Sequence, residues 1–494
     1  MASSQKLTEY ERKRLENIRR NDQMMAALKI HSKATELSAS SKRERVVTKS
    51  YKVSPEKKPK TETPIVIRRS LRTRGMPPQF SDSQALDDTV EANSKNGKSL
   101  TQSKPSPRNL GPLSMRDAYD GTLSDKVLIE TILGVSKKPH EEFGVENGGD
   151  SIKDVSKSGS SLELDSMNLN PENIARVVPG RIMNVRFMPC NNSRMIVVGN
   201  KFGNVGFWDV DSSTEDKDGI YLYHPHAGPI SGISIQQHCL SKIFTSCYFG
   251  FIRLMDAEKE VFDLVYSSDD AIYSLSQRSD DVKCLYFSEG RGGLNIWDER
   301  VGKCSTQWNL HLDRINSIDF NSANSNSMAT SSSEGTVCIW DLRRIDTHRP
   351  KPLKEVRHNR AVQSAYFSPS GSYLATTSTD DTVGMVSGVN FEHTSMINHD
   401  NRTGRWLSSF RAIWGWDDSY VFIGNMKRGV NVISPAQKRT IFTLQSPHIS
   451  AIPCRFDAHP YNVGMLAGAT AGGQFNALQT EKLLLLGRVT RNVD

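Results

Sequence analysis

The chain has 494 residues, 37% of them hydrophobic, and a formal charge of +8. That length holds two or three domains, while the low hydrophobic share excludes a chain packed along its whole length. No apolar run approaches the ~18 residues of a membrane span, no N-terminal apolar leader is present, and none of the seven cysteines forms a CxxC pair, which fits reduced thiols in an intracellular protein.

The charge is uneven. Residues 1–80 contain 20 Lys and Arg against 8 Asp and Glu, a net of +12, so the remainder carries −4. Leu7–Ile30 reads as a helix, opened by the capping pair Thr8 and Glu11. Tyr10, Leu15, Ile18, Met25 and Leu28 share one broad face at helical spacing, opposite Arg12, Lys13, Arg19, Arg20 and Lys29. Such a helix docks on the rest of the chain, on a partner protein or on nucleic acid. Basic clusters follow, and the densest is the Arg-rich motif 67–78, with Arg68, Arg69, Arg72 and Arg74. The planar guanidinium fork suits phosphate, and an extended arm can enter a groove. The plainer reading is a nuclear import signal within solvated charge, and the two uses can coexist. Residues 81–160 are rich in Ser, Asp, Asn and Lys and read as linker, with a short helix near Asp125–Leu133.

From there a short pattern recurs: a small residue, alternating apolar positions, then Trp-Asp or its substitute. Its anchors are Trp208, Met255, Trp297, Trp340, Val386, Ile433 and Leu478, spaced by 42 to 47 residues. That period belongs to WD40 blades of four short antiparallel strands. The expected fold is therefore all-β: a seven-bladed WD40 β-propeller over 166–494, preceded by a basic, largely disordered arm over 1–165 with one short helix. His226, His311, His358 and His448 precede their anchors by about 30 residues. In this repeat class a buried His, a hydroxyl, a turn acid and the Trp indole share hydrogen bonds, and such a network stabilises only when every member is paired. The candidate set in the fourth repeat is His311, Ser331, Glu334 and Trp340, with Glu334 in place of the usual Asp. The last repeat is irregular. Either Lys482–Val489 or the segment before Arg181 must supply its outer strand.

No nucleophile elbow, P-loop or HExxH motif is present. Neither a catalytic constellation, a metal site nor a cofactor is expected, and the chain reads as a recognition protein rather than an enzyme.

Four stretches are more specific than the repeat: LTEYERKRLENIRRN at 7–21, IRRSLRTRGMPP at 67–78, ARVVPGRI at 175–182 and NRTGRWLSSFRAIW at 401–414. Through them the chain resembles the WD-repeat protein 76 group, related to the small subunit of the damaged-DNA-binding complex. The resemblance implies nuclear proteins that bind double-stranded DNA, often damaged or modified, act in genome maintenance among chromatin proteins, and attach to the adaptor of a cullin–RING ubiquitin ligase. The attachment commonly uses a WD-x-R motif, present here twice, as Trp297-Asp298-Glu299-Arg300 and Trp340-Asp341-Leu342-Arg343. Asp298, Arg300, Asp341 and Arg343 are thus the candidate docking residues, and the alternative is an Arg–Asp pair internal to the blade. The related subunit probes duplexes with a hairpin whose counterpart here is Asn401–Leu407. Its residues differ, so lesion readout does not carry over. Arg402 and Arg405 are the phosphate candidates and Trp406 the wedge or stacking candidate, unless Trp406 packs between blades. A second function class stays open: a protein-interaction scaffold or ligase substrate receptor with no direct DNA binding.

Overall fold

The computed structural model describes residues 110–121, 124–137, 164–191, 193–212, 219–404 and 406–471, the backbone of 475–480, and seven helical residues between positions 12 and 23. The chain divides into two compact units, Met1–Lys98 and Ser99–Asp494. In the first, the described residues of the expected Leu7–Ile30 segment are helical, with Leu15 and Ile18 exposed. Arg68, Arg69, Arg72 and Arg74 lie outside the described residues, as does most of the arm.

In the second unit the alternating segments of each repeat become strands, because period-2 patterning gives each strand two faces that neighbouring sheets bury. Strand pairing yields seven antiparallel sheets. The fourth is representative: Ile315–Phe320, Ser327–Ser332, Thr336–Asp341 and Lys354–Arg357 follow in order from its inner to its outer edge. All seven sequence anchors fall on the third strand of their sheet, Trp208 on Val205–Asp209 and Leu478 on Phe475–Thr480. The first strands stand side by side. Ile182–Phe187 of the first sheet packs against Ile230–Ile235 of the second and Pro453–Ala458 of the seventh, which brings the two ends of the series together. The result is an all-β propeller of the WD40 type.

The seventh sheet takes its outer strand from the N-terminal side. Met167–Asn168 and Ile174–Ala175 both pair antiparallel with Phe475–Thr480. Of the two expected donors, the segment before Arg181 therefore holds the edge, and Lys482–Val489 lies outside the described residues.

The helix expected near Asp125–Leu133 is present as Lys126–Lys137, but the stretch 110–137 is packed on the propeller and is not linker. Leu113–Ser114 adds a fifth strand to the second sheet, against Val261 and Phe262. The helix Lys126–Lys137 buries Leu128, Ile129 and Ile132 in a cluster with Phe207, Tyr223, Ile243 and Phe262. Each such burial contributes about 2 kcal/mol. Tyr223 Oη donates to Asp125 at 3.1 Å and Arg253 Nη1 to the Gly111 carbonyl at 3.0 Å. This segment is a cap on the propeller wall, and ordered structure thus begins well before residue 166.

Candidate nucleic-acid interface

Hydrogen-bonded cores fix the turns that form the propeller's faces. In the fourth sheet, Trp340 Nε1 donates to Thr330 Oγ1 at 2.8 Å, and His311 Nε2 lies 2.7 Å from the same oxygen. His311 Nδ1 lies 2.7 Å from Glu334, which also accepts the Leu312 amide at 3.1 Å. The hydrogen bond from His311 holds the Glu334 carboxyl down to about 2. Glu334 thus fills the acidic role expected of Asp. Ser331 does not join this network. It points to the other side of the strand, 2.7 Å from Ser317 Oγ, and Thr330 is the bridging hydroxyl. The fifth sheet repeats the motif with His358, Thr376 and Asp380, and the second retains His226 with Thr245. His448, expected in phase, is exposed.

In a four-stranded meander the turns alternate between the ends of the strands. Turns joining second and third strands therefore share a face with the connections between sheets. Turns joining third and fourth strands open on the opposite face. On the first face, six described turns place one residue just before a position with positive φ. Those residues are Phe202, Phe249, Arg291, Glu334, Asp380 and Lys427, ahead of Gly203, Gly250, Gly292, Gly335, Asp381 and Arg428. Glu334 and Asp380 serve the histidine networks. Phe202 is 49% and Phe249 47% exposed, and Arg291, Lys427 and Arg428 are exposed with them.

The same face carries the connection from the fifth to the sixth sheet, which contains the expected hairpin. One end is tied to the fifth sheet: Asn401 Nδ2 donates to the carbonyls of Ser378 at 2.8 Å and Thr382 at 3.1 Å. The other end is tied to the first and seventh. Ser408 Oγ donates to Ile182 O at 2.8 Å, Arg181 Nη1 donates to Leu407 O at 3.3 Å, and Arg455 donates to the carbonyls of Ser409 and Met183. Burial and the neighbouring Arg411 push the Arg455 pKa down to about 10. The chain therefore crosses the mouth of the central channel between two anchored ends, turning at Gly404, where φ is +60°. Trp406 sits on this crossing with 88% of its surface exposed, so it does not pack between sheets. Arg402 is exposed, with Nε donating to Asp381 at 2.6 Å. Arg405 lies outside the described residues. Arg181 and Ser408 fall in stretches that carry the resemblance, but no local pattern reveals their anchoring role or that of Arg455, because their partners are remote in the chain.

Beneath the crossing the channel holds about 320 Å³ lined by Asn184, Arg186, Ser274, Asp319, Tyr366 and Asp457, among others. Arg186 Nη1 donates to Asp457 at 3.3 Å, and burial pushes the Asp319 carboxyl up to about 7. Among the described residues, no group of three His, Cys, Asp or Glu side chains is placed to hold a metal.

The WD-x-R residues lie on the opposite face. Arg300 donates through Nε and Nη2 to the two oxygens of Asp298, at 2.9 and 2.8 Å. Arg343 grips Asp341 in the same way, at 2.9 Å twice. The hydrogen bond from each arginine holds its aspartate below the usual carboxylate range. The pair internal to the blade is present at both sites, yet both arginine side chains remain mostly exposed. The aspartates fix the guanidinium planes and leave an outer edge open.

Comparison with known proteins agrees with this architecture. The WD40 family model (WD domain, G-beta repeat) matches residues 302–341 and 350–385, the fourth repeat and most of the fifth. Over 481 residues the chain is 26% identical to WD repeat-containing protein 76 of Xenopus laevis, covering 95% of this chain and 80% of that one. It is 27% identical over 515 residues to DNA damage-binding protein cmr1 of Neurospora crassa, covering 95% and 97%, and 25% identical over 517 residues to the CMR1 protein of Scheffersomyces stipitis, covering 94% and 98%. The chain is an all-β propeller of the WD40 type, similar over nearly its whole length to the WD repeat-containing protein 76 and cmr1 proteins.

Proposed function

We propose that this chain binds double-stranded DNA, damaged or modified, in the nucleus, among chromatin proteins and in the service of genome maintenance. We read its ring as seven-bladed, from the seven sheets and the succession of their first strands. The observation that carries the function is Trp406, held in solvent by a segment anchored at both ends across the channel mouth. A fold that needed this indole for stability would bury it. Cations flank it on the same face, and the relatives named for DNA damage binding align along nearly the whole chain. In this reading Arg402 and Arg405 contact phosphate, Trp406 stacks on or wedges beside a base, and Arg68, Arg69, Arg72 and Arg74 add phosphate contacts from the arm. Phosphate contacts make such binding salt-sensitive.

The test is a titration of intact and lesion-bearing duplex with the full chain and with 99–494, at two salt concentrations. The shorter chain starts at Ser99 because a start near 165 would strip the cap from the core. Binding by both chains, weakened in Trp406→Ala, supports the reading. Duplex affinity no higher than that of a neutral control protein overturns it.

The exposed and oriented Arg300 and Arg343 favour a further role, docking on the adaptor of a cullin–RING ligase through the opposite face. Arg300→Ala with Arg343→Ala should abolish adaptor pull-down and leave duplex affinity within about twofold, since roughly 0.4 kcal/mol is the scale of a remote surface change. A receptor without DNA affinity would lose the pull-down and show no duplex binding at the outset.

A further inference from the structure

The connection from the third sheet to the fourth, residues 310–314, is held from both sides. The Leu310 amide donates to the Gly292 carbonyl at 2.9 Å, in a turn of the third sheet. The fourth sheet grips the other side. Leu312 N donates to Glu334 at 3.1 Å, Ser332 Oγ lies 3.2 Å from the carbonyls of Asp313 and Arg314, and Arg314 Nε donates to Ser333 Oγ at 2.8 Å. Yet Leu312, at the centre of this brace, leaves 86% of its surface in solvent. A single exposed leucine is ordinary on a protein surface. This one differs in that its backbone is fixed, its neighbours are cations and the repeat does not require it.

The register shows that the repeat does not require it. The residue after each network histidine is Ala227 in the second sheet, Leu312 in the fourth and Asn359 in the fifth. Asn359 donates its amide to Asp380 at 2.8 Å, as Leu312 does to Glu334, so this backbone accepts a polar side chain. The leucine side chain serves neither the histidine network nor the core.

Its surroundings are basic. Arg291 is exposed in the turn that Leu310 holds, between Gly290 and Gly292. Arg314 is exposed two residues on, 5.3 Å from the centre of the Tyr273 ring, and Arg360 is exposed in the next connection. The two acids of this stretch are occupied: Glu334 meets His311, and Asp313 accepts the Arg314 amide at 3.1 Å. In the ring as read above, the junction of the third and fourth sheets stands opposite the seventh, where the segment carrying Trp406 is anchored. Leu312 is therefore a separate point of contact. A rigid apolar side chain among cations is suited to act as a wedge. Phosphates held by the cations seat the duplex, and the leucine, with no hydrogen bond to offer, is buried by parting two stacked base pairs. Pyrimidine–purine steps such as TA unstack most readily.

We propose that Leu312 is an apolar wedge, distinct from Trp406, that enters the duplex at a TA step and gives this face a preference for easily unstacked sequence. The proposal rests on the DNA-binding reading above and adds a sequence preference to it. Burying half of a leucine side chain is worth about fivefold in affinity. It neutralises no phosphate, so its loss leaves the salt slope unchanged.

The experiment uses the full chain and three duplexes of about 20 base pairs: alternating TA, the same with uracil for thymine, and an unbroken A-tract, which is stiff and has no TA step. Leu312→Asn gives the fourth sheet the residue that the fifth already carries, and thermal unfolding checks that the fold survives. Leu312→Met keeps an apolar side chain. Leu312→Asn should lose at least about fivefold on both alternating duplexes and stay within about twofold on the A-tract, with an unchanged salt slope. Leu312→Met should stay within about twofold of the parent on all three. A loss on the thymine duplex but not on its uracil counterpart would mark a contact with the thymine methyl group and overturn the wedge. Equal losses on all three duplexes, or none on the alternating ones, overturn it too while the duplex reading stands. A parent chain that binds none of the three overturns both.

Discussion

At the scale of single residues, the fourth sheet shows how one hydroxyl organises a blade. Thr330 takes the indole proton of Trp340 and meets His311. Thr330→Val would leave two buried groups unpaired and should destabilise the chain by about 2–4 kcal/mol, read from the urea midpoint. The third sheet carries Phe287 where the fourth has Thr330, and its Trp297 Nε1 has no hydrogen-bond partner among the described residues. Sequence reasoning chose Ser331 for the bridging role. In a strand, an error of one residue moves the side chain to the opposite face, and period-2 patterning cannot choose between two adjacent small hydroxyls. Titration belongs to this scale too. Burial pushes His226 down to about 3 and His459 down to about 4, so both are neutral in the fold. Unfolding returns them to the ordinary value near 6.5, and below that pH the unfolded chain binds more protons. The two histidines therefore make stability fall as pH drops from about 6.5 toward 4, while the buried Asp319 carboxyl, raised to about 7, acts in the opposite sense. Relative to the parent, His226→Gln with His459→Gln should gain stability between pH 7 and pH 5, and an equal shift of the unfolding midpoint in both chains would contradict it. Glu334 acts lower on the scale: its carboxyl is depressed, so its contribution is present above the unfolded value near 4.3 and is lost as pH falls through about 2.

At the scale of elements, the repeat was legible because each blade announces itself locally: a Gly or Asp turn, an alternating strand and an apolar anchor. Seven anchors chosen on spacing all lie on third strands, although four of them lack Trp. The cap was half legible. Val127, Leu128, Ile129, Ile132 and Leu133 mark a helix, but the side chains that bury it come from Phe207, Tyr223, Ile243 and Phe262, far along the chain. The same distance hid the ends of the crossing segment. Asn401 reaches back to Ser378, and Ser408 reaches Ile182, so the sequence offered a hairpin without its supports. The outer strand of the seventh sheet can be tested as an element. A chain of residues 180–494 lacks Met167–Asn168 and Ile174–Ala175 and exposes the edge of Phe475–Thr480. An open edge invites pairing between copies. This chain should unfold at lower temperature than 138–494, which keeps both strands and likewise lacks the cap, and should self-associate, and a peptide of residues 164–178 should reverse both effects. Equal melting temperatures would show that the edge needs no cover.

At the scale of the molecule, the proposed function divides the work between two faces. One gathers Trp406, the phenylalanine turns and Arg291, Lys427 and Arg428, while the other holds Arg300 and Arg343. DNA and a ligase adaptor could then occupy the propeller together. The arm's contribution is a matter of charge count. Replacing Arg68, Arg69, Arg72 and Arg74 with Ala should weaken binding to every duplex sequence alike and flatten the salt slope by up to ~0.9 per lost contact. An unchanged slope would confine those arginines to nuclear import. The composition announced this division of charge, +12 in residues 1–80 and −4 beyond. What composition could not announce is which propeller face gathers the remaining cations, since that depends on which turns share an end of the strands.

The borrowed outer strand also sets an order in time. Met167 leaves the ribosome about 310 residues before Thr480, its partner across the seventh sheet. At the usual pace of synthesis, that is a wait of about 15 to 60 s. Five sheets can form wholly from neighbours in sequence while the chain is still growing, and the second adds Leu113–Ser114 once Val261 and Phe262 have been made. The seventh waits for the far end of the chain, and its pairing has the longest loop in the fold to close. Completion of the ring is therefore a late step, and until then the segment at 164–175 is an unmated strand that a chaperone, or another copy of the chain, can hold.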